Sequence, residues 1–196
     1  TMPSSLDKKT IDAAIDVMLH GARALGIDTG AAKGDIKITK DGPKIGELAA
    51  RLSGGFMSSY TFPYSTGENI IKYAIQIALG EKPLIRKTQY YFTAIERAII
   101  PPPGQVLKID GIDAAQQIKG VKNIFINVDV NDIIQPPKCN LDKAGNIIAV
   151  AETLERAEAI VAEALKLINI EVGPPPEITD EQIKNIAKQK LYTVCS

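Results

Sequence analysis

The chain has 196 residues, 45% of them hydrophobic and 23% charged, the composition of an ordinary globular protein with room for one substantial domain or two small ones. Its 23 Lys and Arg balance its 23 Asp and Glu, so it carries neither the basic footprint of a nucleic-acid binder nor an acidic tail. Trp is absent and aromatics make up only 5%, too few for a base-stacking platform.

No apolar run approaches the ~18 residues of a membrane span and no signal-peptide pattern is present, so no membrane partner and a cytoplasmic location are the default expectation. Cys139 and Cys195 lie far apart without metal-type spacing. They read as free thiols of a reducing compartment, with a disulfide left open. The opening Thr1-Met2-Pro3-Ser4-Ser5 leads straight into a helix with no preceding strand, which raises the expectation of a piece of something larger.

Residues 6–25 repeat with helical period, with Ile11, Ala14, Ile15, Met18, Ala22 and Leu25 on one stripe. Ser4, Ser5 and Asp7 supply capping chemistry and Gly26 closes the end. His20, the single histidine, falls off that stripe and reads as a surface residue.

A hairpin comes next. Ile36 and Ile38 alternate with Asp35, Lys37 and Thr39, the period-two pattern of a strand with one buried face. Lys40-Asp41-Gly42 fits a three-residue connection that pairs Thr39 with Pro43 and sets Asp35 opposite Glu47. A two-residue loop would slip the register by one and send the acids to opposite faces.

Residues 65–79 read as a second helix, with Ser65 and Glu68 at capping-box spacing and Ile70, Ile71, Ala74, Ile75 and Ala78 as its stripe. Gly80 and Pro83 end it, and Leu84 to Gln89 is the best candidate domain boundary. Strand-like runs come after it at 90–100, 106–109, 121–130 and 146–151, with a short helix at 111–119. Thr153 caps a third long helix that buries Ala157, Ile160, Val161, Ala164, Leu165 and Ile168. A last strand over 168–172, a linker from Gly173 to Pro176 and a polar helix over 179–190 complete an α+β reading, strands with helices packed on one face.

Two carboxylates facing each other across a strand pair sit about 5 Å apart and repel. A cation between them removes that cost, and oxygen-only ligation suits Mg²⁺, which completes its shell with water and phosphate. Arg51, four residues beyond Glu47, offers a planar fork for carboxylate or phosphate oxygens if the strand continues. Ser53-Gly54-Gly55 then presents backbone N–H groups to an anion. Solvated acids on an exposed strand and a plain glycine turn would give the same spacing.

The stretch from Gly30 to Gly67, with Asp35, Glu47-Leu-Ala-Ala-Arg51-Leu-Ser-Gly-Gly55 and Ser65-Thr-Gly67, resembles the C-terminal part of an ATP-grasp domain. It is similar to the carboligase and L-amino-acid-ligase members, relatives of biotin carboxylase and the large subunit of carbamoyl phosphate synthetase. The resemblance implies an ATP-grasp portion over residues 1–84, a small α+β accessory C-terminal domain over 85–173, and a Pro-rich linker with a C-terminal helix over 174–196. It implies ATP and Mg²⁺ as cofactors of the complete enzyme, Asp35 and Glu47 as metal ligands, and Arg51 as the catalytic contact of the transferred phosphate. Arg51, Ser53, Gly54 and Gly55 would bind the nucleotide's phosphates. A third metal ligand, often Asn in the family, falls where this chain has Ala49, which puts a second metal ion in doubt.

The chemistry implied is activation of a small-molecule carboxylate as an acyl phosphate, with later displacement by an amine or other nucleophile. Lysines that contact adenine and phosphate in such enzymes lie upstream of this segment. The isolated chain is therefore expected to be inactive and to need N-terminal lobes, on the same protein or on a separate subunit. The alternative is a non-catalytic binding or assembly module that kept the fold, and residues 90–172 could mediate a homodimer in either case.

Overall fold

The computed structural model describes residues 1–85 and 87–174. The expected linker beyond Pro174, the helix over 179–190 and Cys195 lie outside the described residues. The chain divides into two compact units, one of residues 1–96 and 150–157, the other of residues 97–149 and 158–196.

The first unit opens with α1 (Lys8–Ala24), capped by Asp7, whose carboxylate accepts from the Thr10 amide at 3.0 Å. Two strands, β1 (Lys33–Thr39) and β2 (Gly42–Ala49), pair antiparallel and receive α1 on one face. Gly21 of α1 lies against Ile45 and Leu48, and Gly34 lies against Met18, so the two small residues let helix and hairpin approach closely.

The hairpin corrects the expected loop. Thr39 pairs with Gly42 and Ile38 with Pro43, which leaves Lys40-Asp41 as a two-residue connection. The acids nevertheless face each other, because a bulge between Asp35 and Ile36 inserts Gly46 as an extra residue on β2 and restores the lost step. The bulge also resolves a conflict of parity. In a regular strand Ile45 and Glu47 would share a face. With Gly46 as the extra residue, Ile45 and Leu48 turn to α1 while Lys44 and Glu47 turn away.

The expected single helix over 65–79 is interrupted. One π-helical turn at Met57–Thr61 runs into α2 (Phe62–Thr66), which Gly67 ends in a left-handed conformation. A separate α3 (Ile70–Ala78) starts at Asn69, whose side chain accepts from the Lys72 amide at 3.0 Å. Ser65 is therefore not a cap. It is buried, and its hydroxyl donates to the Phe92 carbonyl at 2.5 Å, a partner 27 residues away. On α3 the expected stripe is also shifted: Ile70, Tyr73, Ala74 and Ile77 are partly covered, while Ile71, Ile75 and Ala78 face outward. Helix α3 is apolar almost all round, so periodicity alone did not choose its buried side.

Strand β3 (Thr93–Ile99) begins in the first unit, where Ala94 exchanges two backbone hydrogen bonds with Met2 at 2.8 Å each. The second unit holds β4 (Gly104–Asp110), α4 (Ile112–Gln116), β5 (Val121–Ile126), β6 (Ile133–Ile134), most of β7 (Gly145–Ala151), the greater part of α5 (Leu154–Leu167), and β8 (Asn169–Gly173). Strands β3 to β8 form two three-stranded sheets with orders β3-β7-β5 and β6-β4-β8. Helix α5 buries Ala157, Ile160, Val161 and Ala164 as expected, and Thr153 accepts from the Arg156 amide at 3.3 Å. The fold class is α+β, antiparallel strands with helices. Among the described residues no helix is long and apolar enough to cross a membrane.

Cys139 is disulfide-bonded, which corrects the expectation of a free thiol at that position. Cysteine pairing depends on which segments meet in space, and sequence separation does not report that.

Candidate functional site

The face of the hairpin turned away from α1 carries Lys33 and Asp35 on β1 and Glu47 on β2, with Asp35 directly opposite Glu47. Both carboxylates are more than half exposed, whereas the Lys33 side chain is only 17% exposed. Lys33 Nζ donates to Asp35 Oδ2 at 2.5 Å and to Glu47 Oε1 at 3.2 Å, so one ammonium spans the two acids. The hydrogen bond to Asp35, and after it the one to Glu47, holds the Lys33 ammonium above its ordinary 10.5, against the partial burial that opposes it. Lys33 is thus a fixed cation at neutral pH. Sequence reasoning passed over it, although Lys33, Asp35 and Lys37 share one parity on β1.

Strand β2 ends at Ala49, so Arg51 does not extend it. A tight turn, with the Arg51 amide donating to the Ala49 carbonyl at 2.9 Å, folds the residue back towards the acids. Its Nη2 lies 3.7 Å from Glu47 Oε1, and its Nη1 donates to the Leu52 carbonyl at 3.1 Å. The Arg51 side chain is about half exposed, and its five N–H donors leave some for another anion. Ser53, Gly54 and Gly55 come next as a small-residue turn. Gly55 has φ of +63°, and the Glu96 carboxylate lies 3.7 Å from where a Cβ would stand.

Two carboxylates in register, spanned by a cation in the structure itself, form an oxygen donor set that fits a hard divalent ion. Among the described residues no cluster of three or more His, Cys, Asp or Glu side chains could hold a metal. The residue across from Lys33 is Ala49, which contributes no ligand. A cavity of about 230 Å³ in the first unit begins at residues next to this cluster: Ala32 and Leu52, which adjoin Lys33 and Arg51, line it together with Phe62, Ile70, Tyr73 and Ile77. Its wall carries Glu68, which accepts from the Tyr73 hydroxyl. No spacing rule pointed to it, because it depends on which side of α3 turns inward.

Residues 97–173 match the family described as L-amino acid ligase C-terminal domain 2. The chain is 28% identical over 163 residues to dapdiamide A synthase of Enterobacter agglomerans, covering 78% of this chain and 38% of that protein. Among solved structures, an L-amino acid ligase from Bacillus licheniformis superposes with a TM-score of 0.78 and 27% identity, covering 87% of this chain and 43% of its own. A biotin carboxylase from Campylobacter jejuni shares the fold with a TM-score of 0.60 at 19% identity, over 94% of this chain and 43% of its own. The chain thus spans well under half the length of these relatives. Residues 97–173 are thus similar to the L-amino acid ligase C-terminal domain 2, and over most of its length the chain has the fold of the C-terminal portion of ATP-grasp ligases.

Proposed function

We propose that this chain supplies the metal- and phosphate-binding side of an ATP-dependent ligase that joins a small carboxylate to an amine or similar nucleophile. The observation that carries this reading is the facing of Asp35 and Glu47 across β1 and β2, with the Arg51 guanidinium 3.7 Å from Glu47. Kinship with ligases over most of the chain supplies the reaction class.

Asp35 and Glu47 would hold a Mg²⁺ ion, which when bound neutralises charge on the phosphates of ATP. Arg51 would grip the transferred phosphoryl group and then the acyl phosphate, with two parallel N–H donors aimed at its oxygens. In the reaction a carboxylate oxygen bonds to the terminal phosphorus and ADP departs. The nucleophile's lone pair then attacks the acyl carbon, inorganic phosphate leaves, and the nucleophile loses a proton. The protein's contribution is position and charge, as in other phosphoryl transfers. The remaining nucleotide contacts would come from polypeptide equivalent to the rest of the relatives' length.

The test is Mg-ADP titration and turnover in the complete protein, with Asp35→Ala, Glu47→Ala and Arg51→Ala. Loss of about 10²-fold or more in turnover for each variant is expected, from the effect of removing one group that stabilises transition-state charge. Unchanged nucleotide binding and turnover in both acid variants would sink the assignment. A second reading, a binding or assembly module without catalysis, is motivated by Ala49 in place of a third ligand. Nucleotide binding without turnover in the complete wild-type protein would favour it.

A further inference from the structure

We propose that Lys33 is an internal counter-ion that shares the place between Asp35 and Glu47 with the divalent cation, holding the carboxylates together before the metal enters and leaving when it does. This rests on the reading of the two acids as metal ligands.

Geometry puts the ammonium there. Lys33 precedes Asp35 by two residues, on the same face of β1, and its partner across the ladder is Ala49. A methyl group at that position leaves room for the lysine stem to lie over β2, and the side chain is 17% exposed while its carboxylate partners stay open to solvent. The residue that fails to supply a third ligand is thus the one that accommodates the lysine.

Charge balance sets the competition. Lys33 and Arg51 together balance the two carboxylates, and the ammonium between the facing acids keeps them from repelling. A divalent ion neutralises both acids by itself. If Lys33 stayed, three positive charges would crowd two negative ones, with Arg51 a further cation 3.7 Å from Glu47. The metal and the ammonium therefore exclude each other, and the metal binds more weakly than the two carboxylates alone would allow. Once displaced, Lys33 is a long flexible cation beside the place where phosphate oxygens would lie.

Mn²⁺, an oxygen-preferring stand-in for Mg²⁺, is titrated into the full chain, with the free ion monitored by electron paramagnetic resonance. Lys33→Met, which keeps the stem and removes the charge, is expected to bind Mn²⁺ on the order of tenfold more tightly than wild type, as charge-assisted hydrogen bonds no longer compete. Lys33→Arg is expected to stay within about twofold of wild type, because it restores the cation. Asp35→Asn is expected to abolish binding.

A measurement on the wild-type chain covers the case in which Lys33→Met does not fold. Acetic anhydride labelling read by mass spectrometry should modify Lys33 several-fold faster once Mn²⁺ is bound, with the other lysines unchanged. If Asp35→Asn abolishes binding but Lys33→Met binds no tighter than wild type, or if labelling of Lys33 is indifferent to bound Mn²⁺, the counter-ion role is wrong and the metal reading stands. If no chain binds Mn²⁺ at all, the metal reading fails and the exchange fails with it.

Discussion

The two units of this chain are held together differently. In the second, Val106, Ala115, Ile147, Ile148, Ala149, Val161 and Ala164 are almost completely withdrawn from solvent. In the first, no residue of α1 or α3 is buried, and Leu79 at the end of α3 is 71% exposed. What is buried there is Ala94, Ile95 and Ala157 together with Ser58, Thr61, Ser65 and Thr66, so polar side chains make up an unusual share of its interior. Apolar burial is the main favourable term in folding, at about 25 cal/mol per Å². The candidate site therefore sits on the unit with fewer fully buried apolar side chains. The larger apolar core belongs to the unit that holds most of the residues matching the L-amino acid ligase C-terminal domain 2.

The largest test of this contrast is a pair of truncations. Ile148→Ala, at a fully buried position of β7, is expected to cost ~2–5 kcal/mol, the usual range for emptying part of a close-packed core. Ile75→Ala on α3, where the side chain is 56% exposed, is expected to change stability by no more than ~0.5 kcal/mol. Denaturant unfolding measures both, and equal losses would erase the contrast.

Two left-handed glycines sharpen it. Gly111 and Gly67 have φ of +78° and +74°, so alanine is strained at either. At Gly67 nothing lies near the added methyl, and the cost should be the backbone term alone, ~1–2 kcal/mol. At Gly111 the methyl would collide with the Leu167 carbonyl, and the cost should exceed that of Gly67→Ala by at least ~1 kcal/mol. Matching midpoints for the two variants would mean that the second unit yields as readily as the first.

The smallest effect concerns the entry to α1. The Thr10 side-chain hydroxyl, with its amide, holds the Asp7 carboxyl below its ordinary 3.8. A depressed folded-state value gives a contribution that is present above the unfolded value and lost as pH falls through the folded one. Replacing Asp7 by Ala should therefore destabilise the chain at pH 6 and make progressively less difference below pH 3.8. Thermal unfolding of both proteins across that range checks it, and a pH-independent gap would assign Asp7 no charge-dependent role at the cap.

Local chemistry was legible where one residue decides one event. Asp7 and Gly26 bracket α1, Thr153 caps α5, and Ala157, Ile160, Val161 and Ala164 of the α5 stripe are buried, while Leu165 is only partly covered and Ile168 falls beyond the helix end. The expected pairing of Asp35 with Glu47 holds, but by a different route. The turn is one residue shorter than its glycine suggested, and the bulge at Gly46 restores the register. Ser65 and Glu68 have the spacing of a capping box, yet a buried bond from Ser65 to Phe92 takes the hydroxyl away and Asn69 becomes the cap. The role of Lys33 was invisible for a related reason: a single lysine on a strand acquires a meaning only when the opposite strand brings a second acid within reach.

By itself the sequence determined much of the order of strands and helices, the ends of α1, the start of α5 and the residue types available for ligation, because these depend on backbone sterics and on the alternation of apolar and polar groups over a few positions. Only the tertiary structure decided the register of the hairpin, the side of α3 that turns inward, the disulfide at Cys139 and the joining of Lys33, Asp35, Glu47 and Arg51 into one charged cluster. Those outcomes depend on contacts between distant segments, where a one-residue bulge or a single long hydrogen bond outweighs local preference.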